Sequence, residues 1–254
     1  MKIFLSGLES SEKNIIDDYL SKNKKIPFIL TSYYYIRKKD NLINKMIDVS
    51  DNLIIDSGAH SFQFGKKVNW EEYTKEYAEW IKKIDNEKIV GYFEMDIDNI
   101  IGYDKVLELR KILEQVSDKI IPVWHPNRGI TEFKKMCKEY KNKVIAIGGF
   151  KGTDIKDEQY LMFLKYAKKY NCKVHCLGMT RTKVLDKVPF DYADSSTWKQ
   201  AGNFGEYRQF KNGKIVINKC KGKYKTLDLD KMNFEEFLKL QNYYYNKWKK
   251  ECKD

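Results

Sequence analysis

Apolar and polar positions along the 254-residue chain fall into two alternating patterns. Short runs rich in Ile, Val, Phe or Tyr cover 2–6, 27–32, 52–55, 89–95, 119–124, 144–147, 173–177 and 190–193. Runs of this length predict strands buried on both faces. Between them, longer amphipathic stretches predict helices over 11–22, 37–49, 70–84, 103–116, 130–140 and 157–170, and a last helix over about 233–251. In 70–84, Tyr73, Tyr77, Trp80, Ile81 and Ile84 recur three or four residues apart and make one apolar face. Strand and helix in strict alternation mean parallel strands joined by right-handed crossovers. Eight such units predict an α/β fold, a (β/α)8 TIM-type barrel over residues 1–210. Residues 211–254 then form a basic segment and a C-terminal helix packed on the barrel. A doubly wound open sheet would carry a Gly-rich phosphate turn after its first strand. Ser6-Gly7-Leu8-Glu9-Ser10 is no such turn, and Gly148-Gly149-Phe150-Lys151-Gly152-Thr153 lacks the spacing of a P-loop.

Composition narrows the picture. With 42% hydrophobic and 14% aromatic residues the chain buries a core, which excludes a mostly disordered protein. No apolar run reaches the length of a membrane span, and the short apolar start is too small for a secretory signal. Five cysteines, Cys137, Cys172, Cys176, Cys220 and Cys252, form no dense framework, so a reducing cytoplasm is expected. The net charge of +12 comes from lysine far more than arginine, a bias that an AT-rich genome produces by codon usage. Position says more than the total. Lys211, Lys214, Lys219, Lys221, Lys223 and Lys225 lie together without an acid among them, a cluster suited to phosphate contact.

In a barrel the chemistry gathers at the C-terminal ends of the strands. Those ends carry Asp56-Ser57-Gly58-Ala59-His60, Glu94-Met95-Asp96-Ile97-Asp98, His125-Pro126, Gly148-Gly149-Phe150, Gly178-Met179 and Asp194-Ser195-Ser196-Thr197-Trp198. A single Asp after a strand is an ordinary helix cap and a Gly-Gly pair an ordinary turn. Their shared register around one mouth distinguishes them, because carboxylates gathered there perturb one another. Phe62, Trp124, Phe150 and Trp198 are candidates either for stacking on a base or for core packing.

The blocks Asp56-Ser57-Gly58, Ile147-Gly148-Gly149, Leu177-Gly178-Met179 and Asp191-Tyr192-Ala193-Asp194, with Asp96 between, resemble in order the tRNA-guanine transglycosylases. Asp56-Ser57-Gly58-Ala59 and Asp194-Ser195-Ser196-Thr197-Trp198 look closer to the phage and bacterial relatives, the DpdA group, which insert 7-deazaguanines such as preQ0 into DNA. The resemblance spans roughly residues 50–210. It implies Asp194 as nucleophile at C1′, Asp56 as general acid/base, and Asp96 as acceptor for the guanine N1–H and amino group. It also implies a base-binding turn at Gly148 and Gly149, with Ser57, Phe150, Gly178 and Met179 around the base. His125 stands where the tRNA enzymes have glutamine. Arg181, Trp198, Lys211, Lys214, Lys219, Lys221 and Lys223 would face the nucleic acid. The implied partners are double-stranded DNA, a free 7-deazaguanine and accessory modification proteins, in a host cytoplasm where the gene is phage-borne.

The chemistry asks for the same residue types. Base exchange at C1′ passes through an oxocarbenium-like state that a carboxylate on one face traps, while an acid protonates the leaving base. The base must also leave its stack to enter a barrel mouth. No cofactor is expected. The tRNA enzymes carry a zinc site of Cys and His after the nucleophile, whereas only Cys220 and Cys252 follow Asp194 here, and Cys172, His175 and Cys176 share one strand. A structural zinc is therefore not expected. The rival readings are a minimal tRNA-guanine transglycosylase, a nucleic-acid-binding barrel without turnover, and a barrel enzyme acting on a small phosphorylated metabolite.

Overall fold

A computed structural model of the chain describes residues 1–62, 68–149, 155–220 and 222–251. Strands β1 (Lys2–Ser6), β2 (Ile26–Ser32), β3 (Ser50–Asp56), β4 (Ile89–Phe93), β5 (Ile120–Ile121), β6 (Val123–Trp124), β7 (Val144–Ile147), β8 (Lys173–Cys176) and β9 (Tyr192–Ser195) form one parallel sheet. Its order is β5-β4-β3-β2-β1-β9-β8-β7-β6. The two edge strands are halves of one segment, split at Pro122, which has no N–H to give the ladder. β5 pairs with β4 and β6 with β7, so the sheet returns on itself. The result is the (β/α)8 barrel, with the single run expected over 119–124 broken in two.

Side-chain parity along the strands builds two cores. Phe4, Phe28, Leu30, Ile54, Phe93, Ile121, Val123, Ala146 and Tyr192 fill the barrel interior. Their neighbours in sequence, among them Ile3, Leu5, Ile29, Leu53, Ile55, Ile145 and Val174, pack outward against the helices. This two-sided burial explains why the strands read as continuous apolar runs. The helix Trp70–Ile84 forms over its expected bounds. The Asn69 side chain accepts from Glu72 N–H at its start, and the buried face carries Tyr73, Tyr77, Trp80 and Ile81. Each such side chain contributes about 1.5–3 kcal/mol by leaving water.

The end of the chain differs from expectation. A β-hairpin, β10 (Glu206–Lys211) and β11 (Lys214–Lys219), precedes a helix that begins at Thr226 and runs to Glu251. The turn Asn212-Gly213 has positive φ at both residues, the geometry that lets two strands twist together through a two-residue loop. The Arg208 and Phe210 N–H groups on the β10 edge donate to Asn233 Oδ1 and Glu236 Oε2 at 2.8 Å each, so the helix covers that edge. The terminal helix itself fills the eighth helical position of the barrel. At one side Tyr19 donates to Glu235 at 2.8 Å, and at the other Trp248 Nε1 donates to Leu185 O at 3.1 Å. Gln241, fully buried, donates to the carbonyls of Ile3 and Phe28 and ties β1 to β2. Among the described residues no helix is long and apolar enough to cross a membrane.

Candidate active site

Parity also sets the mouth. Two residues beyond the interior side chains Phe4, Leu30, Ile54, Val123, Ala146 and Tyr192 come Ser6, Ser32, Asp56, His125, Gly148 and Asp194. All six line one cavity of about 720 Å³. Leu177, two residues beyond the interior-facing His175, lines it as well. β4 is the exception: it ends at Phe93, and a turn closed by Ile97 N–H on Met95 O brings Asp96 to the mouth one position out of phase. Gly7, Glu9, Asp98, Asn99, Gly149, Gly178 and Ser196 complete the polar lining, and Phe93, Leu30 and Val123 form apolar floor.

On the β4–β6 side, charges are paired densely. The Asp96 carboxylate accepts from His125 Nε2 at 2.7 Å, and the Gly149 carbonyl accepts from His125 Nδ1 at 3.2 Å. Neither partner can donate, so both ring nitrogens carry protons and the imidazolium is favoured. Burial pushes the His125 pKa down, but the hydrogen bond from its ring to Asp96 and the Asp96 charge outweigh this, leaving it above the ordinary histidine value. Gly148 makes room for the ring: a Cβ there would lie 2.4 Å from His125 Cε1. Arg128 donates from Nε to Asp98 at 2.8 Å, lies 3.6 Å from Asp96 and stacks on Tyr103 at 4.2 Å. Behind them, fully buried Glu94 accepts from Arg110 and from the Val123 N–H. Burial pushes the Glu94 carboxyl up against the pull of Arg110 and Arg128. Asp96, Asp98 and His125 bring ligand atoms within 4.8 Å of one another, a spacing a cation could bridge. The Arg128 guanidinium already supplies positive charge to both carboxylates there.

The β9–β1–β3 side is sparser. Asp194 Oδ1 accepts from His175 Nε2 at 2.8 Å and from the Gly178 N–H at 3.0 Å. Asp56 Oδ2 accepts from the Gly58 N–H at 3.2 Å. Gly58 sits at φ +72, where a Cβ would come 2.4 Å from Tyr34 Cβ, so glycine alone lets this loop fold back on the carboxylate. Ser32, opposite Asp56 in the β2–β3 register, leaves its buried hydroxyl without a partner among the described residues. Burial pushes the Glu9 carboxyl up; its own backbone N–H and the Thr31 hydroxyl act against that.

Asp194, Asp56, Asp96, His125, Gly148, Gly149 and Gly178 thus come together around one cavity. Other expected site residues do not. Trp198 is fully buried, donates to Ser6 O at 2.9 Å and packs on Phe234, so it holds the core and cannot touch nucleic acid. Trp124 is likewise core, against Phe133 and Phe163. Phe62 packs edge-on against Tyr34, Trp70 and Tyr73. Ser57 and Met179 are buried beside the cavity without lining it. Arg181 pairs with Asp157 at 2.8 Å outside the cavity. Phe150 and Lys221, and the side chain of His60, lie outside the described residues.

The basic cluster is displaced too. Lys211 and Lys214 flank the hairpin tip, where Gly213 lies against Tyr243 of the terminal helix, while Lys219 sits opposite Glu206 in the strand register at the other end. All three, with Lys223, are exposed, but none lines the cavity. The lysines run along the side of the barrel because the hairpin is docked on the terminal helix. Cys172 and Cys176 pack outward under the helices while His175 points inward, so strand parity keeps the three from converging.

Three contributors carried no clear sequence signal: Arg128, Glu9 and the pairing of His175 with Asp194. Ser32 had one, since the parity that places Asp56 at the mouth also places its β2 neighbour there.

No protein-family model and no curated protein matches the chain. A solved structure does. A mutant tryptophan synthase alpha-subunit from a hyperthermophile, Pyrococcus furiosus, aligns with 94% of this chain and 98% of its own at a TM-score of 0.52 and 13% identity. The shared feature is the barrel. At that identity the likeness is one of fold, and the residues of the mouth must speak for the chemistry.

Proposed function

We propose that the protein is a DNA-guanine transglycosylase, a pentosyltransferase that exchanges guanine in DNA for a 7-deazaguanine base through a covalent aspartyl-glycosyl intermediate. The observation that carries the reading is Asp194. Its carboxylate lines the cavity with Oδ1 held by two donors, and Asp56 and Asp96 line the same cavity. A carboxylate fixed by one oxygen presents the other as a nucleophile, and two further carboxylates provide an acid/base and a reader of N–H donors.

The steps follow from these groups. A guanine unstacked from DNA enters between Phe93, Val123 and Leu177, with its N1–H and amino group toward Asp96. Asp194 attacks C1′; the C1′–O bond forms and the C1′–N9 bond breaks. The bond pair leaves with guanine, which takes a proton from Asp56. The 7-deazaguanine then enters, gives its N9 proton to Asp56 and attacks C1′, and the ester pair returns to Asp194. Asp96 suits guanine because a carboxylate beside His125 and Arg128 offers acceptors to two N–H groups, and a lysine could not take that part. The chemistry requires no cofactor. The resemblance of the strand-end blocks to the transglycosylases supports the same reading, and the exposed lysines of the hairpin are suited to a phosphate backbone beside the barrel.

The test is incubation with labelled 7-deazaguanine and either duplex DNA or tRNA. Label in DNA supports the reading. Label in tRNA alone moves the protein to the tRNA enzymes, and label in neither overturns base exchange.

A further inference from the structure

His175 has no part in the scheme above, yet it is the most completely buried titratable side chain in contact with Asp194. It is 0% exposed, and its ring packs on Phe4 at 6.1 Å, Phe93 at 5.1 Å and Tyr192 at 6.3 Å between centroids. Nε2 lies 2.8 Å from Asp194 Oδ1, while Nδ1 is buried without a hydrogen-bond partner among the described residues. The groups facing the ring are therefore Phe4 of β1, Phe93 of β4, and Tyr192 and Asp194 of β9. Burial holds the Tyr192 phenol up at about 12, so it is uncharged at neutral pH. Protonating Nδ1 would bury an N–H with no acceptor among the described residues, which is unfavourable. One proton on Nε2 satisfies Asp194 Oδ1, the one acceptor the ring meets among the described residues.

We infer that His175 is a positioning residue for Asp194: a neutral imidazole, protonated on Nε2, that together with the Gly178 N–H pins Oδ1 and leaves Oδ2 to form and release the glycosyl bond. The inference rests on Asp194 being the nucleophile proposed above. Among the described residues both donors to Asp194 reach the same oxygen, so the geometry distinguishes Oδ1 from Oδ2. In the ester, Oδ1 is the carbonyl oxygen. When the incoming base attacks C1′ and the C1′–Oδ2 bond breaks, the returning pair spreads over the carboxylate, and the two N–H donors stabilise the charge on Oδ1 as it develops. The apolar cage strengthens this contact by excluding water.

Two measurements decide it. His175→Phe fills the aromatic cage without a donor, and His175→Gln places an N–H near the Nε2 position. With duplex DNA and 7-deazaguanine, turnover of His175→Phe falls about 10²–10³-fold, as for loss of one oxyanion donor, with KM little changed. The covalent protein–DNA adduct persists longer than in the unmutated protein, and His175→Gln recovers part of the rate. A side chain that merely packs would leave adduct lifetime unchanged while lowering melting temperature; unaltered adduct breakdown in a folded His175→Phe protein overturns the inference. The second measurement needs no substrate: ¹⁵N NMR of histidine-labelled protein, with His175→Gln identifying the resonance. A neutral ring protonated on Nε2 supports the inference, and a proton on Nδ1 or on both nitrogens overturns it. Failure of base exchange in the unmutated protein would remove the proposed reaction and leave the NMR result to judge the pairing.

Discussion

The mouth of the barrel holds the same pair twice. On one wall Asp96 accepts from His125 Nε2 at 2.7 Å; on the other Asp194 accepts from His175 Nε2 at 2.8 Å. Everything around the pairs differs. His125 meets a second acceptor, the Gly149 carbonyl, and its partner carboxylate lies beside Arg128 in a network with Asp98, Glu94 and Arg110. Apart from Asp194, His175 packs against the rings of Phe4, Phe93 and Tyr192, and its Nδ1 has no hydrogen-bond partner among the described residues. The first pair is an ion pair inside a balanced cluster, stiff and held by charge. The second is a ring in an apolar cage that meets a single carboxylate through Nε2. On the function proposed above, a His–Asp contact of one length holds one carboxylate for recognition and the other for reaction, and the partner of the far nitrogen distinguishes them.

The strongest way to break this contrast is to remove the carboxylate on each wall. Asp194→Asn abolishes base exchange with the fold intact, whereas Asp96→Asn retains slow exchange and loses guanine selectivity; adduct trapping with guanine and hypoxanthine sites in DNA separates the two. An active Asp194→Asn protein would reverse the assignment of the walls. Asp56→Asn lowers turnover about 10²–10⁴-fold, the range for general acid/base groups, and flattens one limb of the pH–rate profile.

Stability sharpens the contrast next. Arg128→Met strands Asp98 without its counter-charge, leaves Asp96 to His125 alone, and lowers unfolding free energy by about 3–5 kcal/mol in a denaturant titration. His175→Phe, with no charge to strand, costs far less. A smaller effect separates the two histidines by pH. Because its folded pKa is raised, His125 adds stability that is complete below the ordinary histidine value near 6.5 and is lost as pH rises through the raised value. Melting curves across that window fall for the unmutated protein and level off in His125→Gln. The smallest effect concerns the hairpin: Lys219→Gln with Lys223→Gln reduces the salt slope of DNA binding by up to about 0.9 per phosphate contact. Lys211→Gln with Lys214→Gln, at the tip beside Tyr243, changes it less. Equal slopes would show that the lysine charge is a general surface property.

Much of this site was legible along the chain because strand parity is local. Once Phe4, Ile54, Ala146 and Tyr192 are taken as interior, the residues two places on must face the mouth, and these include Asp56, Gly148 and Asp194. The same logic could have named Ser32. Asn212-Gly213 between alternating residues is a hairpin turn signal in the chain. Trp198 shows the opposite case. Its place just after a strand end looked exposed, but the terminal helix covers it with Phe234.

By itself the sequence determined the barrel, the strands and the carboxylates at its mouth, because each depends on periodicity within a few residues. Only the tertiary structure decided how those carboxylates are held. Arg128 reaches Asp96 and Asp98 from another strand's loop, and His175 reaches Asp194 across the β8–β9 ladder. The hairpin carries its lysines along the barrel's side because Asn233 and Glu236 of the terminal helix take up its edge. Such contacts join residues far apart in the chain, and their energies depend on burial and on which partner arrives, quantities that no local pattern of residues contains.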